Sequence, residues 1–192
     1  MELILQIWGG LFYLLNKAFF AIAEGRPKAT YRSLKVSGWV FYILGAPAWV
    51  TILIGHSNWI AASIEAGGIP AMFLGLYNAY HSNKKTTDHL NFIVSICTYG
   101  SLILGLSYSL YNNGGIVSLS QVLEIGVMIG FLLGGFLLAK GNSLGWLFFM
   151  LMNLSMAGLM MVQGKSILMV QQLMSLSFVV YGFLKSQRPR KL

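Results

Sequence analysis

The chain has 192 residues, 56% of them hydrophobic and only 9% charged, against about 25% charged in an ordinary soluble domain. So few charges cannot clothe a water-soluble surface, and the apolar runs are too long and uniform for the alternating strands of about ten residues that build a membrane β-barrel. Cys97 is the only cysteine, which excludes an intramolecular disulfide and argues against a cysteine-based metal site, while the net charge of +8 raises a question that the placement of the basic residues answers.

A hydrocarbon core of about 30 Å is crossed by roughly 18 or more apolar residues in a helix. The first such run covers about 3–23. Met1 to Trp8 carries Glu2 and no basic residue, so the run lacks a signal-peptide start and reads as a retained helix. After the polar stretch Glu24 to Ser33, a second span is predicted at about 34–55, with Pro47 expected to kink it. The third, about 59–80, contains Gly67-Gly68 and Pro70, a second expected kink beside a glycine pair that suits a hinge. His81 to His89 leads into a fourth span at about 90–111, and Asn112 to Gly115 into a fifth at about 116–139. In the fifth, Gly126, Gly130 and Gly134 form a stripe that predicts close packing on another helix. A sixth span at about 144–163 and a seventh at about 166–184 precede the basic tail 185–192. The expectation is an all-α integral membrane protein of seven transmembrane helices, a single membrane domain over 1–192.

Basic residues on the cytoplasmic flanks set the orientation of such a chain. Arg26, Lys28, Arg32, Lys35, Lys84, Lys85, Lys140, Lys185, Arg188, Arg190 and Lys191 all fall on one side, and Lys165 alone on the other. This predicts an outer N-terminus and a cytoplasmic C-terminus, with the basic tail as an anchor beside anionic lipid rather than a nucleic-acid patch. Lys17, inside the first span, is expected to snorkel its ammonium to the cytoplasmic interface.

Sliding the second span onto the sixth reveals an internal match. Gly38-Trp39 falls on Gly145-Trp146, Glu65 then meets Gln172, and Gly75 meets Gly182 without a gap. The first span aligns with the fifth through Tyr13-Leu14-Leu15 on Phe131-Leu132-Leu133. Two three-helix repeats, about 3–80 and 116–184, would then be joined by a linker helix at about 90–111. An odd unit followed by one linker span makes the repeats parallel, related by an axis along the membrane normal.

The 3+1+3 plan resembles that of the SWEET sugar transporters and of PnuC-type vitamin transporters. Over the last three spans the chain is similar to PnuC-type nicotinamide riboside transporters. The likeness rests on Leu137-Leu138-Ala139-Lys140, Trp146 followed by Asn153, and a final span ending Tyr181-Gly182. The resemblance implies a facilitator for a vitamin or nucleoside-like solute such as nicotinamide riboside, in a bacterial inner membrane.

Polar side chains inside spans are expensive and tend to line a solute path or pair with one another. At about 1.5 Å per residue, Glu65, Glu124 and Gln172 fall at one depth, about 10 Å below the outer surface, and Asn153 near the midplane. The candidate solute site is therefore Asn153, Gln172 and Glu65, with Glu124 and Gln171 nearby. Trp39, Trp59 and Trp146 are either stacking faces or interfacial anchors. Amides offer both donors and acceptors to a ribose or an amide substituent, and Glu65 can accept from hydroxyls or offset a positive ring. The expected partners are a solute and the lipid bilayer, with a homo-oligomer left open and no nucleic acid. No cofactor or metal is expected. An enzyme is set against, since there is no phosphate-binding loop and no His-Glu-x-x-His helix, and Asp88 is the only Asp. A SWEET-like sugar carrier and a non-transporting partner or sensor subunit are the competing readings.

Overall fold

The computed structural model describes residues 2–55, 59–81, 88–164 and 166–187. Among them are seven helices: α1 (Glu2–Ala23), α2 (Lys28–Gly55), α3 (Trp59–Tyr80), α4 (Asp88–Asn113), α5 (Leu119–Ala139), α6 (Leu144–Val162) and α7 (Ser166–Ser186). Backbone N–H and C=O groups that face lipid must be satisfied within the segment, and a helix does this for every interior residue. Judged on the described residues, six of the seven are long and apolar enough to cross a membrane. The third expected span, 59–80, is helical over Trp59–Tyr80 and carries Glu65, Gly67-Gly68, Pro70 and Asn78.

Two boundaries differ from those expected. α2 starts at Lys28, immediately after Pro27, so its polar first turns, which hydropathy assigns to a loop, are helical. α5 starts at Leu119 because the Ser118 side chain accepts from the Gln121 amide and caps it. Gln121 also fastens the turn before it, donating to the Gly115 and Ser109 carbonyls at 2.9 and 3.2 Å. α5 ends in a reversal at Gly141, whose φ of +73° disfavours any residue with a side chain, while its amide and that of Asn142 reach back to Leu138 and Leu137. Both Pro47 and Pro70 lie inside helices that continue through them.

The helices touch in a cyclic order. α1 packs on α2, α2 on α3, α3 on α5, α5 on α6, α6 on α7, and α7 back on α1, closing a ring of six. α4 lies outside it, against α3 and α5 only, with Phe92, Ile96, Ile103 and Leu104 exposed. Helices consecutive in the chain run antiparallel, as the seat of Phe20 on Gly38 shows for α1 and α2. The other two ring contacts are parallel. Gly10 of α1 and Gly25 in the turn after it approach Gln171 and Lys185 of α7, and Gly68 and Asn78 of α3 approach Phe131 and Ala139 of α5. The basic residues Arg26, Lys28, Arg32, Lys35, Lys140 and Lys185 gather at one end of the ring, called here the basic end.

The expected glycine stripe faces α6 throughout. A methyl group added to Gly126 would meet Ser155, one on Gly134 would meet Phe149, and one on Gly130 would lie 2.5 Å from the Phe148 carbonyl oxygen. The last is a backbone contact and cannot yield. Gly130→Ala should therefore lower the melting temperature of the purified protein, through overpacking worth about 1–3 kcal/mol. Gly100→Ala, with nothing within 4 Å of its Cβ, should change stability by less than about 0.5 kcal/mol. A thermal melt in detergent distinguishes the two, and equal melting of both variants would contradict the α5–α6 packing.

Candidate functional site

The interior of the ring is aromatic. Tyr42 of α2 meets Tyr13, Trp39, Phe131 and Phe149, with ring centroids 5.0 to 6.3 Å apart, so four helices converge on one phenol. Trp39 and Trp146 are 2% and 1% exposed. Each lies flat on a glycine of the following helix, Trp39 on Gly75 and Trp146 on Gly182. Their proximity to helix ends makes interfacial anchoring the expected alternative, and their burial in the ring rules it out. The side chain of Trp59 lies outside the described residues.

Three polar pairs are stacked through this interior. Farthest from the basic end, the Tyr13 hydroxyl donates to a Glu65 carboxylate oxygen. One turn along α1, the Lys17 ammonium donates to Oδ1 of Asn153 at 3.3 Å, and the Asn153 amide donates in turn to the Phe149 carbonyl at 2.6 Å. Lys17 is 5% exposed and Asn153 fully buried. Lys17 does not snorkel as expected: its side chain turns across the ring to α6, where the Asn153 amide oxygen accepts a hydrogen bond from it. Nearest the basic end, Lys35 pairs with Glu24 at 2.8 Å. Its ammonium also sits 4.7 Å from the Phe20 ring centroid, 5.3 Å from that of Trp146 and 5.4 Å from that of Tyr31.

Below this last pair the ring opens. A cavity of about 340 Å³ at the basic end is lined by polar groups of Glu24, Tyr31, Lys35, Asn142, Ser143 and Ser186, with Trp146 beside them. A larger apolar groove of about 570 Å³ runs along the outside between α3 and α4, past Pro70, Leu74, Tyr77 and Val94.

Of the residues expected in the site, Asn153, Glu65, Trp39 and Trp146 are thus in or against the ring interior. Gln171 packs its amide on Gly10 of α1. Gln172 is half-buried, and among the described residues no hydrogen bond joins it to Glu65 or Asn153. Glu124 is exposed on α5, so shared depth did not bring it to Glu65. The count along a helix axis gives depth but not the direction a side chain faces. Sequence reasoning passed over Tyr13, Glu24, Lys35 and Tyr42. A signal was present: Tyr13 and Lys17 are four apart, as are Lys35 and Trp39, which puts each pair on one helix face.

Other buried polar groups fasten the ring. Asn16 donates to the Gly38 carbonyl at 3.0 Å, and Asn78 to that of Ala139 at 2.9 Å. Among the described residues no three His, Cys, Asp or Glu side chains come together as a metal site would require. In the comparisons with known proteins, no family model, no curated protein and no solved structure matches this chain.

The Lys35–Glu24 pair provides a direct test of the interior. Removing one partner leaves the other charge buried alone, so Glu24→Ala should destabilise the protein by about 3–5 kcal/mol. The double variant Glu24→Leu/Lys35→Met should regain most of that loss, since an apolar pair carries no desolvation cost. Melting curves of the single and double variants check this, and additive losses would contradict a shared, buried pair.

Proposed function

We propose that the chain is a membrane carrier for a small polar solute, with the path along the axis of the six-helix ring. The observation that carries this reading is the ladder of polar pairs Glu65–Tyr13, Lys17–Asn153 and Lys35–Glu24. It crosses an otherwise aromatic interior and leads to a polar cavity at one end. Buried charge is costly in an apolar bundle and is retained where a polar species must be met.

The carrier is read as two parallel three-helix units, α1–α3 and α5–α7, with α4 as the span that restores orientation. Contacts support this pairing residue by residue. The shift that lays Gly38 on Gly145 also lays the Trp39–Gly75 seat on the Trp146–Gly182 seat. The shift that lays Tyr13 on Phe131 lays Phe20 on Leu138 and Asn16 on Gly134. Phe20 and the Asn16 carbonyl face Gly38, just as Leu138 and the Gly134 carbonyl face Gly145. Exchanging the units also turns the α1–α7 contact into α5–α3, and both are parallel. A solute between the units would be released as one rocks against the other.

With the basic end in the cytoplasm, the carrier sits in a bacterial inner membrane and the polar cavity opens inward. The likeness to PnuC-type transporters favours a vitamin or nucleoside-like solute, and the stacked rings of Trp39 and Tyr42, with Phe149 edge-on beside them, suit a planar one. Uptake of nicotinamide riboside and of glucose into proteoliposomes is the test, with glucose probing the SWEET-like reading. Asn153→Leu and Glu65→Leu should each reduce uptake at least about tenfold, the cost of one lost polar contact of about 1.4 kcal/mol or more, while the protein still purifies folded. Unchanged uptake in both variants would remove the ladder from the path.

A further inference from the structure

One member of the ladder has no acid against it. Glu24 is taken by Lys35, and Glu65 by the Tyr13 hydroxyl. Lys17, 5% exposed, has only a neutral amide oxygen at hydrogen-bond distance among the described residues. That oxygen is held in place, because the same amide's nitrogen is engaged by the Phe149 carbonyl. An ammonium has three donors, and one acceptor at 3.3 Å satisfies one of them. The interior of the ring therefore holds a lysine that no acidic side chain meets at hydrogen-bond distance among the described residues.

We infer that Lys17 is the recognition group for a carboxylate, so that the solute carried along the ring is a small monoanion. The inference rests on the carrier reading and names its solute class. A carboxylate offers two acceptor oxygens to the donors that Asn153 does not use, and charge-assisted hydrogen bonds are the strong ones. The single charge follows from the count of groups. One ammonium offsets one negative charge, and the ammonium of Lys35 is already met by Glu24. A phosphate dianion would leave net negative charge in an aromatic interior. The basic residues at the open end would draw an anion along the path.

The test uses matched pairs that differ by one carboxylate: nicotinate against nicotinamide, and glucuronate against glucose. Binding to the full chain in detergent is read by thermal shift and by calorimetry. In the unaltered protein the carboxylate of at least one pair should bind at least about tenfold tighter than its neutral partner. Lys17→Met should abolish that preference, and Lys17→Arg should keep it. Asn153→Asp places a carboxylate against Lys17 in a fold that gains an ion pair. It should remove the preference without loss of thermal stability, which separates recognition from folding. Equal or tighter binding of the neutral partners, or a preference that survives Lys17→Met, overturns the inference. Uptake of a neutral compound alone overturns the charge assignment and leaves the carrier standing. No binding and no uptake of any of the four overturns both.

Discussion

Helices in lipid gain nothing from hiding apolar side chains, because the surrounding tails are as apolar as leucine. They must instead be held by contact area and by the closeness of their backbones. In this ring that closeness depends on indole rings laid directly on glycine. Trp39 covers Gly75 and Trp146 covers Gly182, so the largest side chains available fill the spaces beside the smallest. A Cβ at either glycine would lie within 2.5 Å of indole carbons, and with Trp39 displaced the aromatic interior around Tyr42 would lose one of its walls. The α5–α6 seam works on the same principle with the partners reversed, glycines 126, 130 and 134 on one helix accepting the bulk of the other. Packing of this kind places the polar ladder, since Lys17 reaches Asn153 only if α1 and α6 face each other across a narrow interior.

The ladder also bears on what the structure must tolerate. Interhelical hydrogen bonds in membranes contribute about 1 kcal/mol or less on average, so neither Tyr13–Glu65 nor Lys17–Asn153 is a reason for the fold to exist. They are paid for by the aromatic packing around them. Lys35 differs, because its charge is met at once by Glu24 and by three ring faces, and it closes the interior beside the polar cavity. Within one short stretch of the axis the environment passes from aromatic at Tyr42 to polar and open at Ser143.

Helix positions were largely legible because apolar length is a one-dimensional property, and most boundaries fall within a few residues of those read from hydropathy. The exceptions have local causes: Pro27 starts α2 among charged residues, and the Ser118 cap delays α5. The candidate site was legible only in part. Asn153 and Glu65 stand out as polar groups in apolar runs, whereas Lys17 reads as a snorkelling residue until α6 is placed opposite it. Glu124 and Gln172 share a depth with Glu65, but direction around the helix is decided by neighbours that no count along one segment contains. The burial of Trp39 and Trp146 depends in the same way on glycines brought in by the next helix.

The charges of the ladder are distributed unevenly between the two halves of the ring. Lys17, Glu24, Lys35 and Glu65 all come from α1–α3 and the turn within it. On the alignment of the halves, Lys17 falls on Gly135, Lys35 on Asn142 and Glu65 on Gln172. On the same alignment Ala46 falls on Asn153, so a ring assembled from two copies of α1–α3 would leave each Lys17 without its amide acceptor. Carrying both halves in one chain lets one wall keep its ionic groups while the other becomes neutral. In the proposed two-unit reading, covalent fusion permits a chemical division of labour that a symmetric dimer of half-length chains could not reach.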